Sequence, residues 1–224
     1  MGNGRRAAAV CAALLVGVLT GCSADGAGAD ATPSANASPA ADRAAEAARS
    51  GGRVGAAGSA CELPVLFDTA ADWTAAAVGT RASGSGGVDD GLAQEVADAL
   101  LRPGPVTAAC EIDAKPAGHI GFLRVWTGEP GTGGDARAVL EDFVAAEEGT
   151  SEAEYRPLTG SGLDGTEVTY LCTSKLLDET KKERALAVET PDGPVVLHLG
   201  GMDSAEHEAM LPAYELAKRT LRLP

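Results

Sequence analysis

One long segment of this chain has almost no large apolar residues, which limits where the chain can fold. Of the 38 residues from 23 to 60, 28 are Ala, Gly, Ser or Pro, and Val54 is the single large aliphatic residue. Such a segment buries too little surface to offset the entropy lost on ordering. We therefore expect a disordered tether over residues 22–60 and a single globular domain over residues 61–224.

The chain before this tether has the pattern of an export signal. Two arginines precede an apolar run over residues 7–20, which is shorter than the roughly 20 apolar residues that span a bilayer. The run ends at Leu19-Thr20-Gly21-Cys22, which resembles the bacterial lipobox. The resemblance implies cleavage between Gly21 and Cys22, a diacylglyceryl group on the Cys22 thiol, and acylation of the new amine. Residues 1–21 would then be a lipoprotein signal peptide, with an ordinary signal peptide or an uncleaved anchor as the alternatives.

The charge of the chain restricts its partners. The sequence has 18 Lys+Arg against 32 Asp+Glu, which gives a formal net charge of −14 at pH 7. Nucleic-acid binding and polybasic membrane binding both need clustered basic residues, so neither is expected. Acidic residues cluster between Glu141 and Glu154 without a calcium-loop pattern, and we interpret them as a solvated helix face.

Hydrophobic periodicity over residues 61–224 predicts a mixture of strands and helices. The predicted strands cover residues 63–67, 73–78, 106–112, 120–127, 167–173, 184–190 and 195–199. The predicted helices cover residues 90–100, 135–148 and 203–221, with a mobile loop over residues 81–87 and a kink or restart at Pro212. Short connections favour antiparallel pairing, so the expected fold class is α+β, a largely antiparallel sheet with helices packed on it.

Three segments carry a resemblance to known families. Residues 67–73, Phe-Asp-Thr-Ala-Ala-Asp-Trp, followed by a central helix and a sheet closed by a C-terminal helix, resemble the PsbP-like fold. LpqN-like lipoproteins of actinobacteria are similar in the same way, and residues 110–126 and 194–201 also resemble actinobacterial lipoproteins of unassigned function. The resemblance covers residues 61–224 and implies an α/β/α sandwich with a scaffold or binding role and no catalytic residues.

Three cysteines remain after removal of the signal peptide and lipidation of Cys22. Strand alternation places Cys61, Cys110 and Cys172 towards the core, and an exported domain lies where disulfides form. A Cys61–Cys110 bridge is favoured because it would attach the first strand of the domain beside the tether. Three buried reduced thiols are the alternative.

The residues that could bind a ligand or metal are few. His119 and Trp126 lie next to loops at strand ends and mark a candidate ligand surface, with a core position as the alternative for Trp126. The three histidines lack the local pairing of zinc ligands, so no metal site is expected. Residues 131–136 fit Gly-x-Gly-x-x-Ala, but an antiparallel sheet, Asp135 at the phosphate position and export argue against a nucleotide.

These observations favour a non-enzymatic binding or interaction module of the cell envelope, anchored to the extracytoplasmic face of the membrane through lipid on Cys22. Its expected partner is an unidentified envelope protein or component, and no cofactor is expected. A lipoprotein that binds a small ligand between sheet and helix is the alternative. An exported hydrolase is a third possibility, although no serine completes a Gly-x-Ser-x-Gly motif.

Overall fold

A computed structural model describes residues 47–79 and 101–224. The strands are β1 (Ser50–Val54), β2 (Phe67–Ala70), β3 (Thr74–Ala77), β4 (Thr107–Asp113), β5 (Gly121–Thr127), β6 (Thr150–Pro157), β7 (Gly165–Ser174), β8 (Glu179–Thr190) and β9 (Gly193–Gly201). The helices are α1 (Ala136–Ala145) and α2 (Ser204–Thr220). The predicted signal peptide, Cys22, tether residues 22–46, the loop over 81–87 and the helix over 90–100 lie outside the described residues.

Seven strands form one antiparallel sheet in the order β3-β4-β5-β9-β8-β7-β6. Strands β1 and β2 form a separate antiparallel pair. Short connections join β4 to β5, β7 to β8 and β8 to β9, as the sequence predicts for antiparallel pairing. Neither described helix is long and apolar enough to cross a membrane.

The large sheet is covered by helices on both faces. Along β8, Ala185 and Ala187 point into the core on the α1 side, whereas Leu186 and Val188 point into the core on the α2 side. The α2-side core also contains Tyr214 from α2 and residues of β2, so the β1–β2 pair belongs to that layer. The fold is therefore an α+β sandwich with a helix on each face of an antiparallel sheet, which confirms the predicted fold class.

Both helices begin at an aspartate that caps the first turn. The carboxylate of Asp135 accepts a hydrogen bond from the Ala138 amide, and that of Asp203 accepts one from the Glu206 amide. Helix α2 continues through Pro212, so it does not restart there. The Pro212 carbonyl accepts a hydrogen bond from the Ala48 amide at 2.9 Å, which attaches the first described residues to this helix.

The predicted boundary between tether and domain is wrong, because the fold includes residues assigned to the tether. Ser50–Val54 form β1, and Val54 is 3% exposed in the α2-side core. A Cβ on Gly51 would lie 2.5 Å from the Ala71 Cα, so the small residue is needed for the backbones to approach. Backbone pairing and one valine thus order a segment whose side chains bury little surface.

The acidic residues between Glu141 and Glu154 do not form a single helix face, so that interpretation is wrong for part of the segment. Helix α1 ends at Ala145, and Glu152 and Glu154 belong to the edge strand β6, which is largely exposed. The pairing of β6 with β7 shifts between Ser151 and Glu154, and Glu152 has a φ of 53°. Charges and bulges protect edge strands from pairing with other chains. Because charged side chains stand where apolar ones would alternate, such a strand shows no hydrophobic periodicity.

Candidate functional site

The α1 side of the sheet is only partly covered, and a cleft of about 340 Å³ opens beyond the C-terminal end of α1. We call it the Glu183 cleft after the carboxylate at its floor. Its polar lining residues are Arg124, Glu147, Lys181, Glu183 and His198. Its apolar lining residues are Ile120, Phe122 and Met202, and its glycines are Gly121, Gly200 and Gly201.

Strand register explains why the cleft forms here. Phe122 pairs with Gly200, and Glu183 pairs with Tyr170, so these residues lie in one row across β5, β9, β8 and β7. Gly200 leaves a gap in this row because it has no side chain. A Cβ at Gly200 would lie 3.4 Å from both Glu183 Oε2 and His198 Cε1, so a larger residue would fill the floor.

Glu183 is almost completely buried, with 1% of its surface exposed, and two basic side chains compensate its charge. Lys181 Nζ lies 2.6 Å from Glu183 Oε1, and His198 Nε2 lies 3.1 Å from Glu183 Oε2. Burial by itself would raise the pKa of Glu183, but His198 and Lys181 lower it below its ordinary value. The floor of the cleft therefore holds an ionised carboxylate.

The network continues from His198 towards the end of α1. The Tyr170 hydroxyl lies 3.1 Å from His198 Nε2 and donates a hydrogen bond to Glu147 Oε2 at 2.9 Å. Burial, followed by the charge of Glu147, raises the pKa of Tyr170 well above its usual value, so the phenol keeps its proton. Because that proton points to Glu147 and Glu183 is ionised, His198 must carry a hydrogen on Nε2.

Cys172 lies beside this network as a buried thiol. Its Sγ donates a hydrogen bond to Glu147 Oε1 at 3.2 Å. Burial, with the hydrogen bond and charge of Glu147, raises the pKa of Cys172 to about 12. The residue therefore stays a thiol at neutral pH, whereas nucleophilic catalysis requires a thiolate.

The sheet separates the three cysteines of the domain. Cys61 and Cys110 lie in the α2-side core and form a disulfide, with their Cα atoms 5.8 Å apart. Cys172 lies in the core on the α1 side and is free. Strand alternation predicts that all three point inwards, but it does not distinguish between the two cores.

The structure does not bring the predicted ligand residues His119 and Trp126 together. His119 precedes β5, and its Nδ1 lies 3.3 Å from Glu206 Oε2. Trp126 is near the opposite end of β5, is 5% exposed and packs edge-on against Phe143, with ring centroids 5.6 Å apart. Trp126 is therefore a core residue, which was the alternative prediction. The predicted ligand surface that combines His119 and Trp126 is wrong.

Sequence reasoning did not find the Glu183 cleft. In Lys181-Lys182-Glu183-Arg184 every residue is charged, so hydrophobic alternation does not show which side chains point inwards. His198 interrupts an apolar run in β9, but a lone histidine has no assignable partner without the strand register. Within the described part of the chain, no group of three or more His, Cys, Asp or Glu residues is arranged to hold a metal ion.

The sequence and fold of the chain can be compared with those of known proteins. No curated protein shows significant similarity to the chain. Among solved structures, the chain is similar to the solution structure of cyanobacterial PsbP (CyanoP) from Synechocystis sp. PCC 6803, with 12% identity and a TM-score of 0.45, over 84% of this chain and 100% of that one. A family model described as an uncharacterised lipoprotein matches residues 31–221. Because this match spans most of the sequence, the chain belongs to that family of lipoproteins.

Proposed function

We propose that this protein is a lipid-anchored lipoprotein whose extracytoplasmic domain is a non-enzymatic binding module of the cell envelope. Membership of a lipoprotein family and the Leu19-Thr20-Gly21-Cys22 motif support the anchor. The Glu183 cleft supports the binding role. Its ligand, on this proposal, is a component of the envelope.

The combination of an ionised floor and an apolar rim is the observation that carries the binding role. Ile120 and Met202 at the rim are 54% and 56% exposed, while Glu183 at the floor is 1% exposed. Ligand sites commonly combine apolar walls with a few convergent polar groups, and buried ionisable residues with shifted pKa values concentrate in them.

The size and chemistry of the cleft restrict what it binds. A volume of about 340 Å³ is near the lower end of the range for ligand pockets, roughly 300–1,000 Å³. The cleft therefore fits a small molecule or a single side chain of a partner. Its occupant would place a polar group near Lys181 and His198 and an apolar group against Ile120 and Met202.

The same geometry argues against a hydrolase. A catalytic histidine presents one ring nitrogen to its orienting carboxylate and the other to the nucleophile. In this cleft Glu183 and the Tyr170 hydroxyl both face Nε2 of His198. Cys172, the nearby thiol, is held in its protonated form by burial and by Glu147. The network is therefore arranged to hold charges and protons in place, which suits binding.

Filling the floor of the cleft tests the proposal. Gly200→Leu would place a branched side chain between Glu183 and His198. The full chain is extracted from its own membrane with mild detergent, and native mass spectrometry measures the ligand that remains bound. We expect the wild type to carry a bound mass and Gly200→Leu to lose it.

The matched control is Gly162→Leu at an exposed glycine, where a Cβ would meet only the Leu221 carbonyl oxygen, at 3.4 Å. This variant should retain the bound mass. The binding role is contradicted if Gly200→Leu retains the same mass as the wild type. It is also contradicted if the wild type carries no bound mass and an envelope extract changes none of its backbone amide resonances.

A further inference from the structure

The exposed apolar side chains of the domain are concentrated at one end of the large sheet. Among the described residues, the exposed large apolar side chains are those of Ile120, Leu176, Leu177, Met202 and Leu223. All except Leu223 lie at the end of the sheet where β7 turns into β8. We call this end the hairpin end.

Strand pairing places these residues together. The turn that contains Leu176 and Leu177 joins β7 to β8. Ile120 precedes β5 and Met202 follows β9, and the antiparallel pairing of these strands puts both residues at the hairpin end. The Met202 amide donates a hydrogen bond to the Ile120 carbonyl at 2.9 Å. Leu223 follows α2, which starts at the hairpin end and runs away from it.

The β7–β8 hairpin projects beyond its neighbours. Its ladder continues to the pair Ser174 and Glu179, whereas β6 pairs with β7 only as far as Cys172. Strand β9 ends opposite Lys182, so three further residues of β8 extend past it by roughly 10 Å at about 3.3 Å per residue. Leu176 is 92% exposed and Leu177 is 70% exposed at the tip of this projection.

Lysines lie at the same end of the sheet as these apolar side chains. Four of the five lysines in the sequence, Lys115, Lys175, Lys181 and Lys182, lie at the hairpin end. Lys181 and Lys182 pair with Glu183 and Glu208, whereas Lys115 and Lys175 are exposed. An exposed lysine covers apolar surface with its stem and keeps its ammonium group in a polar layer, which suits a bilayer interface. Acidic residues such as Asp178 and Glu179 lie there too, so the expected contact depends on the leucines more than on anionic lipid.

We propose that the hairpin end docks on the bilayer that anchors the chain, with Leu176 and Leu177 entering its interface. This inference rests on the proposed lipid anchor at Cys22. A narrow projection with two leucines at its tip suits insertion between lipid headgroups better than contact with a flat protein surface.

The position of the first described residues also favours the bilayer as the surface that the hairpin end contacts. Ala48 and Arg49 share a surface depression with Ala117 and His119, next to Ile120. The first described residues, to which the segment from Cys22 is joined, therefore lie near the hairpin end. Even fully extended, the chain from Cys22 to Ala47 reaches at most about 90 Å, which limits the distance between an anchored domain and the bilayer. A weak second contact then suffices, because lipid chains and protein groups act together in membrane binding.

Docking would also orient the Glu183 cleft. Ile120 and Met202 belong both to the hairpin end and to the rim of the cleft. A docked domain would therefore turn the mouth of the cleft towards the lipid headgroups.

Tryptophan substitutions at the two ends of the domain test this geometry. The full lipid-modified chain carries either Leu177→Trp or the matched Leu223→Trp. Each is reconstituted into vesicles of phosphatidylethanolamine and phosphatidylglycerol with brominated acyl chains. After subtraction of the wild-type signal of Trp73 and Trp126, we expect the indole of Leu177→Trp to be quenched several-fold more than that of Leu223→Trp. Adding Leu176→Ser to Leu177→Trp should reduce this quenching.

Co-sedimentation with the vesicles separates the two proposals. If both variants co-sediment but are quenched equally, or neither is quenched, the docking geometry is overturned while the anchor stands. If the chains stay in solution, the anchor is overturned and the docking inference falls with it.

Discussion

At the scale of single residues, Glu183 and His207 are two buried ionisable groups whose surroundings differ. On the α1 side, Glu183 is compensated by Lys181 and His198. On the α2 side, His207 is 3% exposed, and its Nδ1 has no hydrogen-bond partner among the described residues. Burial lowers the pKa of His207 to about 4. The uncompensated imidazole therefore stays neutral in the folded domain, which links stability to pH.

We predict that the domain loses stability between pH 7 and pH 5 because of His207. The unfolded chain binds a proton near the ordinary pKa of 6.5, whereas the folded state does so only near 4. Stability is therefore fully present above about pH 6.5 and falls as the pH drops towards 4, with a loss of about 2 kcal/mol at pH 5 relative to pH 7. Urea unfolding at the two pH values measures this difference.

The control for this prediction is His207→Leu, whose unfolding free energy should change much less between the same pH values. The lowered pKa of Glu183 affects stability only below its ordinary value of 4.5, outside this range. An equal pH dependence in the wild type and in His207→Leu would assign the effect to another group.

At the scale of elements, the disulfide joins a segment without regular structure to the large sheet. Cys61 lies between β1 and β2, and Cys110 lies in β4, with 49 residues of sequence separation. The bridge therefore attaches the β1–β2 pair to the layer that it covers. Cys172 is on the other side of the sheet and takes no part.

We predict that removal of this bridge by Cys61→Ser together with Cys110→Ser lowers the free energy of unfolding by about 4 kcal/mol. The reason is that a closed loop of this length restricts the unfolded chain. Urea unfolding with and without dithiothreitol measures the effect. The wild type and Cys172→Ala should both be destabilised by the reductant, while the double variant should not respond. A double variant as stable as the oxidised wild type would contradict the prediction.

At the scale of the whole molecule, an acidic sandwich domain follows a predicted export signal and the lipobox-like segment that ends at Cys22. The family match starts at residue 31, within the predicted tether, and runs to residue 221. The proposed anchor would place the domain outside the cell and close to the bilayer. The hairpin end and the Glu183 cleft gain their proposed roles from that location.

We predict that Cys22→Ala abolishes membrane anchoring, because the thioether to the diacylglyceryl group requires the thiol. Cell fractionation and intact-protein mass measure the outcome: the variant should lose the lipid mass and either remain unprocessed or leave the membrane fraction. Cys11→Ala, within the predicted signal peptide, is the matched control and should leave both measurements unchanged. A Cys22→Ala protein with the wild-type mass and membrane fraction would refute the anchor.

Local patterns were sufficient to predict most elements of the large sheet and both described helices. The alternation of Cys110 and Ile112 predicts β4, and the spacing of Val139, Leu140 and Phe143 predicts α1, because these side chains face a core. Strand β1 was missed because its glycines form backbone pairs without burying side chains. Strand β6 was missed because an exposed edge strand has no alternation to detect.

The sequence by itself determined the acidic character and the α+β class, since each follows from local composition and periodicity. It also predicts the export signal from the charge and apolar length of its first residues. Only the tertiary structure decided which side chains meet. Alternation with a period of two assigns a residue to a face of the sheet, but neighbouring strands and their register depend on contacts between distant segments. That register placed Glu183 beside Gly200 and separated Cys172 from Cys61 and Cys110. It also brought Leu176, Leu177, Ile120 and Met202 together at the hairpin end.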